Sequence, residues 1–77
     1  MTDLDAVEYR VFPEGDVIAI FINQPYGIGD FLCSYMHIGQ HGPVSRTVLR
    51  DYPKATCDKY RELAKELYNI GYKVEVP

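Results

Sequence analysis

The chain has 77 residues, of which 47% are hydrophobic and 25% are charged, and its formal net charge is −3. Folded domains begin near ~50 residues, and disordered chains are poor in hydrophobic side chains, so residues 1–77 are expected to form one small folded domain. Nucleic-acid binding depends mainly on lysine and arginine. Eight basic residues against eleven acidic ones argue against that class of partner.

The cysteine content and the distribution of apolar residues indicate in which cellular compartment the protein is found. Two cysteines do not make a disulfide framework, which in small secreted domains takes four or more. The first residues lack the basic and apolar regions of a signal peptide, and no apolar run approaches the ~20 residues that span a bilayer. We therefore expect a cytoplasmic protein with reduced thiols and no membrane partner.

The first third of the chain has the pattern of a β-hairpin. Residues 1–6 are polar and terminal, and we expect them to be frayed. Residues 7–12 alternate between apolar and polar side chains, which is typical of a strand, and residues 13–16 have the proline and glycine of a turn. Residues 17–22 are apolar at every position. That run indicates a second strand that is covered on both faces.

Two further strands are predicted after the glycine-rich loop at residues 24–30. Residues 31–38 form the third strand, with Cys33, Tyr35 and His37 on one face because strand side chains alternate. Residues 39–42 then turn the chain, and Pro43 prevents the ladder from continuing. Residues 44–50 return as the fourth strand.

The C-terminal part has the pattern of one amphipathic helix and a last strand. Thr56 is the expected N-cap, and Gly71 is placed to end the helix in the left-handed conformation. The apolar stripe recurs at helical spacing and consists of Tyr60, Leu63, Ala64, Leu67 and Tyr68. Glu62 and Glu66 are expected on the solvent side. Residues 73–76 alternate again and suit a short edge strand.

The order β-β-β-β-α-β predicts an α+β domain. Its mostly antiparallel sheet would have four or five strands, with the C-terminal helix packed on one face. One helix of ~15 residues is about 22 Å long and can cover only that face. The central strands are apolar on both faces. The second face therefore needs a cover that the helix does not supply.

That uncovered face predicts a homodimer. We expect the helix to cover one alternating set, which consists of Ile18, Ile20, Ile22, Leu32, Met36 and Ile38. The predicted dimer interface is then the other set, which consists of Val17, Ala19, Phe21, Cys33, Tyr35 and His37. Burying ~600 Å² of apolar surface per subunit would contribute about 15 kcal/mol before the costs of association. The alternative is that loops such as residues 24–30 fold over this face.

Most side chains capable of chemistry lie in residues 30–43. The candidate binding residues are Tyr35, His37, Gln40 and His41, with Tyr26 of the glycine-rich loop as a further contact. Cys33, His37 and His41 have the spacing C-x3-H-x3-H, but a regular strand separates Cys33 from His37 by roughly 13 Å. That separation is too large for one zinc ion or for a cysteine–histidine nucleophilic pair. We predict no metal site, no cofactor and no catalytic residue.

The segment from Ser34 to Gly42 reads S-Y-M-H-I-G-Q-H-G. It resembles a segment S-Y-x-H-x-G-Q-H-G in a group of short bacterial proteins, some of which are encoded on conjugative transposons and phages. The resemblance continues through the P-K-A-T sequence at residues 53–56, where the helix begins, and through the I-G-Y sequence at residues 70–72. It covers most of residues 17–76. It implies an origin in a mobile element and no particular activity.

Three functional hypotheses follow from these patterns. The first is a non-enzymatic interaction module that homodimerises through the sheet face not covered by the helix, with another protein as a further partner. The second is a small-molecule or metal-binding protein, or an enzyme, centred on Tyr35, His37, Gln40 and His41. The third is nucleic-acid binding through Arg46 and Arg50.

Overall fold

The computed structural model describes residues 4–37 and 40–77. The elements in chain order are β1 (Val7–Val11), β2 (Val17–Pro25), β3 (Phe31–Met36), β4 (Gln40–Ser45), α1 (Val48–Asp51) and α2 (Cys57–Asn69). The four strands form one antiparallel sheet in the order β1-β2-β3-β4. The C-terminal helix α2 packs on one face of that sheet. The predicted α+β class is confirmed.

The hairpin of β1 and β2 forms at the predicted turn. Gly15 has φ +98°, a conformation that residues other than glycine rarely adopt. Its N–H donates to the carbonyl of Phe12 at 2.8 Å, and the Phe12 N–H donates to the carbonyl of Asp16 at 2.8 Å. These bonds set a register in which Val11 lies opposite Val17.

The fourth strand and the segment after it differ from the prediction. Strand β4 begins at Gln40 and runs to Ser45, so the predicted turn is wrong for residues 40–42, which pair with residues 34–36. Residues 48–50, predicted as strand, belong to the one-turn helix α1. Val48 is buried and its neighbour Leu49 is half-buried. Adjacent apolar residues fit a helical turn better than strand alternation. Ile38 and Gly39 lie outside the described residues.

The predicted final strand is also wrong. Residues 73–76 form no strand, although the Lys73 carbonyl accepts a hydrogen bond from the Asp5 N–H at 2.8 Å. The Lys73 N–H in turn donates to Asp5 Oδ2 at 2.8 Å, so these two contacts hold residue 5 of the segment that we expected to be frayed. The outer edge of β1 is already bonded to residues 53–55. Because residues 53–55 occupy this edge, the C-terminal segment cannot pair along β1 there, and its backbone bonds to Asp5, before that strand begins.

The face beneath α2 carries the residues that we expected at a dimer interface. The buried core on this side consists of Ala19, Phe21, Tyr35, Leu63, Leu67 and Val74. Val17 and Cys33 pack against it, and His37 contacts α2 through Glu66. The predicted assignment of the two alternating sets to the two faces is therefore reversed. Both sets are apolar, so alternation alone does not decide which set a helix covers.

The opposite face is covered in part by α1. Its buried residues are Ile18, Ile20, Leu32 and Val48, and the half-buried apolar residues around them are Phe12, Ile22, Met36, Val44, Leu49 and Tyr52. Arg10 of β1 is buried and donates to the Leu49 carbonyl at 3.3 Å, which ties α1 to the sheet. Because the sequence patterns did not reveal α1, this cover was not expected.

Helix α2 begins and ends where the sequence predicts. Thr56 is the N-cap, with an extended backbone and no side-chain capping bond. At the other end Gly71 has φ +113°, and the Tyr72 N–H donates to the Leu67 carbonyl at 3.0 Å. That bond is the mark of a Schellman motif. Tyr68, expected in the apolar stripe, is 63% exposed. No helix in residues 4–37 and 40–77 is both long and apolar enough to cross a membrane.

Tyr9 of β1 and Tyr60 of α2 form the closest ring contact between the sheet and the start of the helix. Their ring centroids lie 4.2 Å apart with the planes 4° from parallel. The Tyr9 hydroxyl is buried and has no hydrogen-bond partner among the described residues. Burial, and then the neighbouring Tyr60 phenol, raises the pKa of Tyr9 to about 12.

The first prediction tests the finding that Phe21 lies beneath α2. It compares the loss of stability on truncating Phe21 with the loss on truncating the exposed Phe31. Phe21 is 1% exposed beneath α2, whereas Phe31 is 45% exposed. Phe21→Ala should lower the free energy of unfolding by about 3–5 kcal/mol because it leaves a cavity in the core. Phe31→Ala should lower it by less than about 1 kcal/mol. Urea unfolding followed by circular dichroism measures both, and equal losses would contradict the placement of Phe21. If Phe21→Ala does not fold, Phe21→Leu keeps the comparison.

The second prediction concerns alkaline pH. The unfolded chain releases the Tyr9 proton near pH 10, and the folded protein releases it at about 12. The stabilisation from this group is therefore complete below pH ~10 and is lost as the pH rises from about 10 to 12. Tyr9→Phe should reduce the fall in the free energy of unfolding over that interval. The control Tyr26→Phe alters an exposed phenol and should leave the fall unchanged, as urea unfolding at several pH values will show.

Candidate functional site

The candidate site lies where the β3–β4 hairpin meets the end of α2. Tyr35 of β3 and His41 of β4 lie directly opposite each other, so their side chains share the α2 face of the sheet. Their ring centroids are 4.7 Å apart, with the planes at 68°. Tyr35 is 1% exposed and His41 is exposed. The tyrosine therefore forms the floor of the site and the histidine forms its rim.

Glu66 of α2 connects two of the predicted binding residues. One carboxylate oxygen accepts a hydrogen bond from the Tyr35 hydroxyl, and the other lies 2.6 Å from His37 Nδ1. The His37 side chain is 71% exposed, whereas that of Glu66 is 21% exposed. We had expected Glu66 on the solvent side of the helix, and the structure places it against the sheet. This carboxylate joins the hairpin to α2.

Tyr72 completes the site from the C-terminal segment. Its hydroxyl lies 3.2 Å from His41 Nε2, and its ring stacks on Phe21 with centroids 4.8 Å apart. The left-handed turn at Gly71 directs the chain back over the sheet. Because that turn follows directly on α2, the end of the helix determines where Tyr72 meets the histidine.

These residues surround an open groove of about 430 Å³. Its lining consists of Tyr35, His41, Ile70, Gly71 and Tyr72. The groove lies at the C-terminal end of α2, where the helix dipole is negative, and the Glu66 carboxylate is bonded to its floor. Both features favour a ligand that donates hydrogen bonds over an anionic one.

Two predicted binding residues lie elsewhere. Gln40 pairs with Met36, which places its side chain on the opposite face of the sheet from His41. Tyr26 is 46% exposed in the loop before β3, and its N–H donates to the Phe31 carbonyl at 3.0 Å. Strand β3 has six residues, so roughly 17 Å separates its two ends. Tyr26 therefore does not join the groove.

The side chains that could bind a metal are dispersed. In the part of the chain that the structure describes, no three side chains of His, Cys, Asp or Glu lie close enough to hold a metal ion. The Cys33 thiol lies 3.9 Å from the Pro25 carbonyl, at the other end of β3 from His37. The spacing C-x3-H-x3-H does not bring its three residues together.

The basic residues considered for nucleic-acid binding are partly neutralised. Arg50 Nε lies 2.8 Å from Asp51 Oδ1. The hydrogen bond that Arg50 donates to Asp51 raises the pKa of Arg50 and lowers the pKa of Asp51. An arginine that is paired with a neighbouring carboxylate attracts phosphate less strongly. Arg46 is exposed just after β4.

Comparison with known proteins found no family model, no curated protein and no solved structure that matches this chain. The resemblance at residues 34–42 to proteins of bacterial mobile elements therefore stays a prediction.

Sequence reasoning identified three members of the site and missed two. Tyr35, His37 and His41 were candidate binding residues and lie close together in the structure, whereas Glu66 and Tyr72 were not considered as site residues. Glu66 lies three positions after Leu63 and one before Leu67, and this flank of the apolar stripe is the signal that could have indicated it. Tyr72 follows the helix-ending Gly71, and only the direction of the chain beyond the cap places it.

The third prediction separates the two bonds to Glu66. His37→Ala should lower the free energy of unfolding by less than about 1 kcal/mol, because the imidazole is exposed and the surrounding water weakens the pair. Tyr35→Phe should cost about 1.5–3 kcal/mol, because it removes a buried donor to a carboxylate. Urea unfolding at neutral pH compares the two variants. A larger loss for His37→Ala would show that the imidazole, and not the phenol, holds α2 on the hairpin.

Proposed function

We propose that this protein is a small non-enzymatic binding protein whose ligand site is the groove between the β3–β4 hairpin and Tyr72. The observation that carries the proposal is the convergence of Tyr35, His41 and Tyr72, from three separate parts of the chain, on one open groove of about 430 Å³. Ligand sites of this kind combine an apolar or aromatic lining with a few well-placed polar groups.

The groups in and beside the groove define the class of ligand. The aromatic rings of Tyr35 and Tyr72 provide flat apolar surface, and Ile70 adds an aliphatic side. The polar groups are two phenol oxygens and the His41 imidazole, with the Glu66 carboxylate bonded to the floor. Because the Tyr35 hydroxyl already donates to Glu66, its oxygen is left to accept, and the carboxylate accepts only. The ligand that fits best is therefore a small planar molecule that carries N–H or O–H donors.

The first test uses two ring compounds of the same shape. Benzamide has an amide donor, whereas benzoate is an anion that the negative end of α2 disfavours. Benzamide should shift the amide resonances of Tyr35, His41 and Tyr72 in heteronuclear NMR spectra at millimolar concentration, and benzoate should leave them unchanged. Absence of any shift with benzamide, or equal shifts with both compounds, would contradict the proposal.

Matched tyrosine variants test the position of the ligand. Tyr72→Phe removes the hydroxyl that faces His41, whereas Tyr68→Phe makes the same change on the exposed side of α2. Tyr72→Phe should weaken benzamide binding several-fold, because one hydrogen bond contributes about 0.5–1.5 kcal/mol. Tyr68→Phe should bind like the unchanged protein. Equal affinity in the two variants would place benzamide outside the groove.

The second candidate function is association with a second copy of the chain through the sheet face opposite α2. A groove of about 320 Å³ on this face is lined mainly by apolar side chains, among them Phe12, Ile18, Met36 and Val44. It adjoins β4, which is an edge strand of the sheet, whereas the edge of β1 is bonded to residues 53–55. Domains this small often gain stability from oligomerisation.

The self-association test uses one substitution at two valines. Val44→Glu places a charge on the groove, and Val76→Glu makes the same change in the C-terminal segment. Light scattering at tens of micromolar should give the mass of a dimer for the unchanged protein and for Val76→Glu, and that of a monomer for Val44→Glu. A monomeric mass for the unchanged protein would eliminate this candidate.

A cytoplasmic location, with both cysteines reduced, favours a binding function over a function in disulfide exchange. Both cysteines are free, with Cys33 half-buried and Cys57 exposed. An exposed thiol of this kind stays reduced in the cytoplasm, where glutathione and thioredoxin act. We propose that the protein works in that compartment, with its ligand groove or its sheet face as the binding surface.

A further inference from the structure

A second cavity, of about 270 Å³, lies between β1, the start of α2 and the C-terminal segment. Its lining consists of Leu4, Asp5, Val7, Tyr9, Tyr60, Val74 and Glu75. None of these residues lines the hairpin groove. The cavity is smaller than the ~300–1,000 Å³ pockets that take drug-sized molecules, so it fits only a small ligand.

The aromatic part of the cavity is the stack of Tyr9 and Tyr60. The two rings are nearly parallel, with centroids 4.2 Å apart, and both line the cavity. The Tyr9 hydroxyl is buried without a partner among the described residues. The negative ring faces of tyrosine attract cations.

Two carboxylates line the same cavity. Within residues 4–37 and 40–77, neither Asp5 nor Glu75 forms an ion pair. Asp5 Oδ2 accepts the Lys73 N–H at 2.8 Å, and this bond holds the side chain at the cavity. Glu75 is exposed. The pKa of the Tyr60 phenol is raised first by its hydrogen bond with Cys57, then by burial, and last by the charges of Cys57 and Glu75. The cavity thus combines two stacked tyrosines with two acidic groups that form no ion pair with a basic side chain of the described residues.

We propose that this cavity binds a small organic ammonium cation, with its charge held by Asp5 and Glu75 and its methyl or methylene groups against the tyrosine stack. Leu4, Val7 and Val74 supply the apolar contacts that such groups require. A fully hydrated metal ion would gain little from these apolar side chains, whereas a substituted ammonium group contacts apolar and acidic groups together. This inference concerns a different cavity from the hairpin groove and does not depend on the function proposed there.

The test compares choline with its neutral isostere 3,3-dimethyl-1-butanol. The two molecules have the same shape, and only choline carries a positive charge. Titration followed by heteronuclear NMR should show shifts at Tyr9, Tyr60 and Val74, with choline binding about threefold to tenfold more tightly than the isostere. Equal affinities, or no shift with choline, would overturn the proposal.

Matched glutamate variants locate the charge. Glu75 and Glu62 are both exposed, and only Glu75 lines the cavity. Glu75→Gln should weaken choline binding at least about threefold and leave the isostere unaffected, whereas Glu62→Gln should change neither. Because both residues are exposed, both variants should stay folded, as circular dichroism can verify. Loss of the preference for choline in Glu62→Gln, or its retention in Glu75→Gln, would overturn the proposal.

Discussion

The rest of the structure depends on the burial of both faces of the β2–β3 pair. Ala19, Phe21 and Tyr35 lie beneath α2, while Ile20 and Leu32 lie on the opposite side with α1. A chain of this size buries only roughly 60–65% of its unfolded surface, so it has few other sources of stability. Helix α2, the end of β4 and the C-terminal segment are placed by packing on that one pair of strands. Both cavities lie where these later elements meet the sheet.

The hairpin groove shows how a helix terminus can build a site. The Schellman turn at Gly71 satisfies the last carbonyls of α2 and returns the chain over Phe21. Tyr72 then meets His41, while Glu66, one turn earlier, bonds to Tyr35 and His37. The cap at Gly71 and the contact of Tyr72 with Phe21 together produce a polar cluster. The sequence pattern of the hairpin alone, or of α2 alone, does not predict it.

Much of the fold could be predicted because its signals are local. The turn at Gly15, the apolar run of β2, the N-cap at Thr56 and the terminator at Gly71 each depend on a few neighbouring residues. The error at α1 arose because one helical turn is too short for a period to show. Of the site, the shared face of Tyr35 and His37 follows from strand alternation, whereas His41 joins them through the pairing of β4 with β3. Glu66 and Tyr72 come from distant parts of the chain.

The sequence by itself determined strands β1 to β3, helix α2, the α+β class and the two alternating sets of the central strands, because these follow from side-chain period and turn chemistry. Only the tertiary structure decided which set the helix covers. Both sets are apolar, and the choice depends on α1 covering the other face and on the contacts of Glu66 with Tyr35 and His37. Ala19, Phe21 and Tyr35, first expected at a dimer interface, became core residues for that reason, whereas the His37 side chain stays exposed.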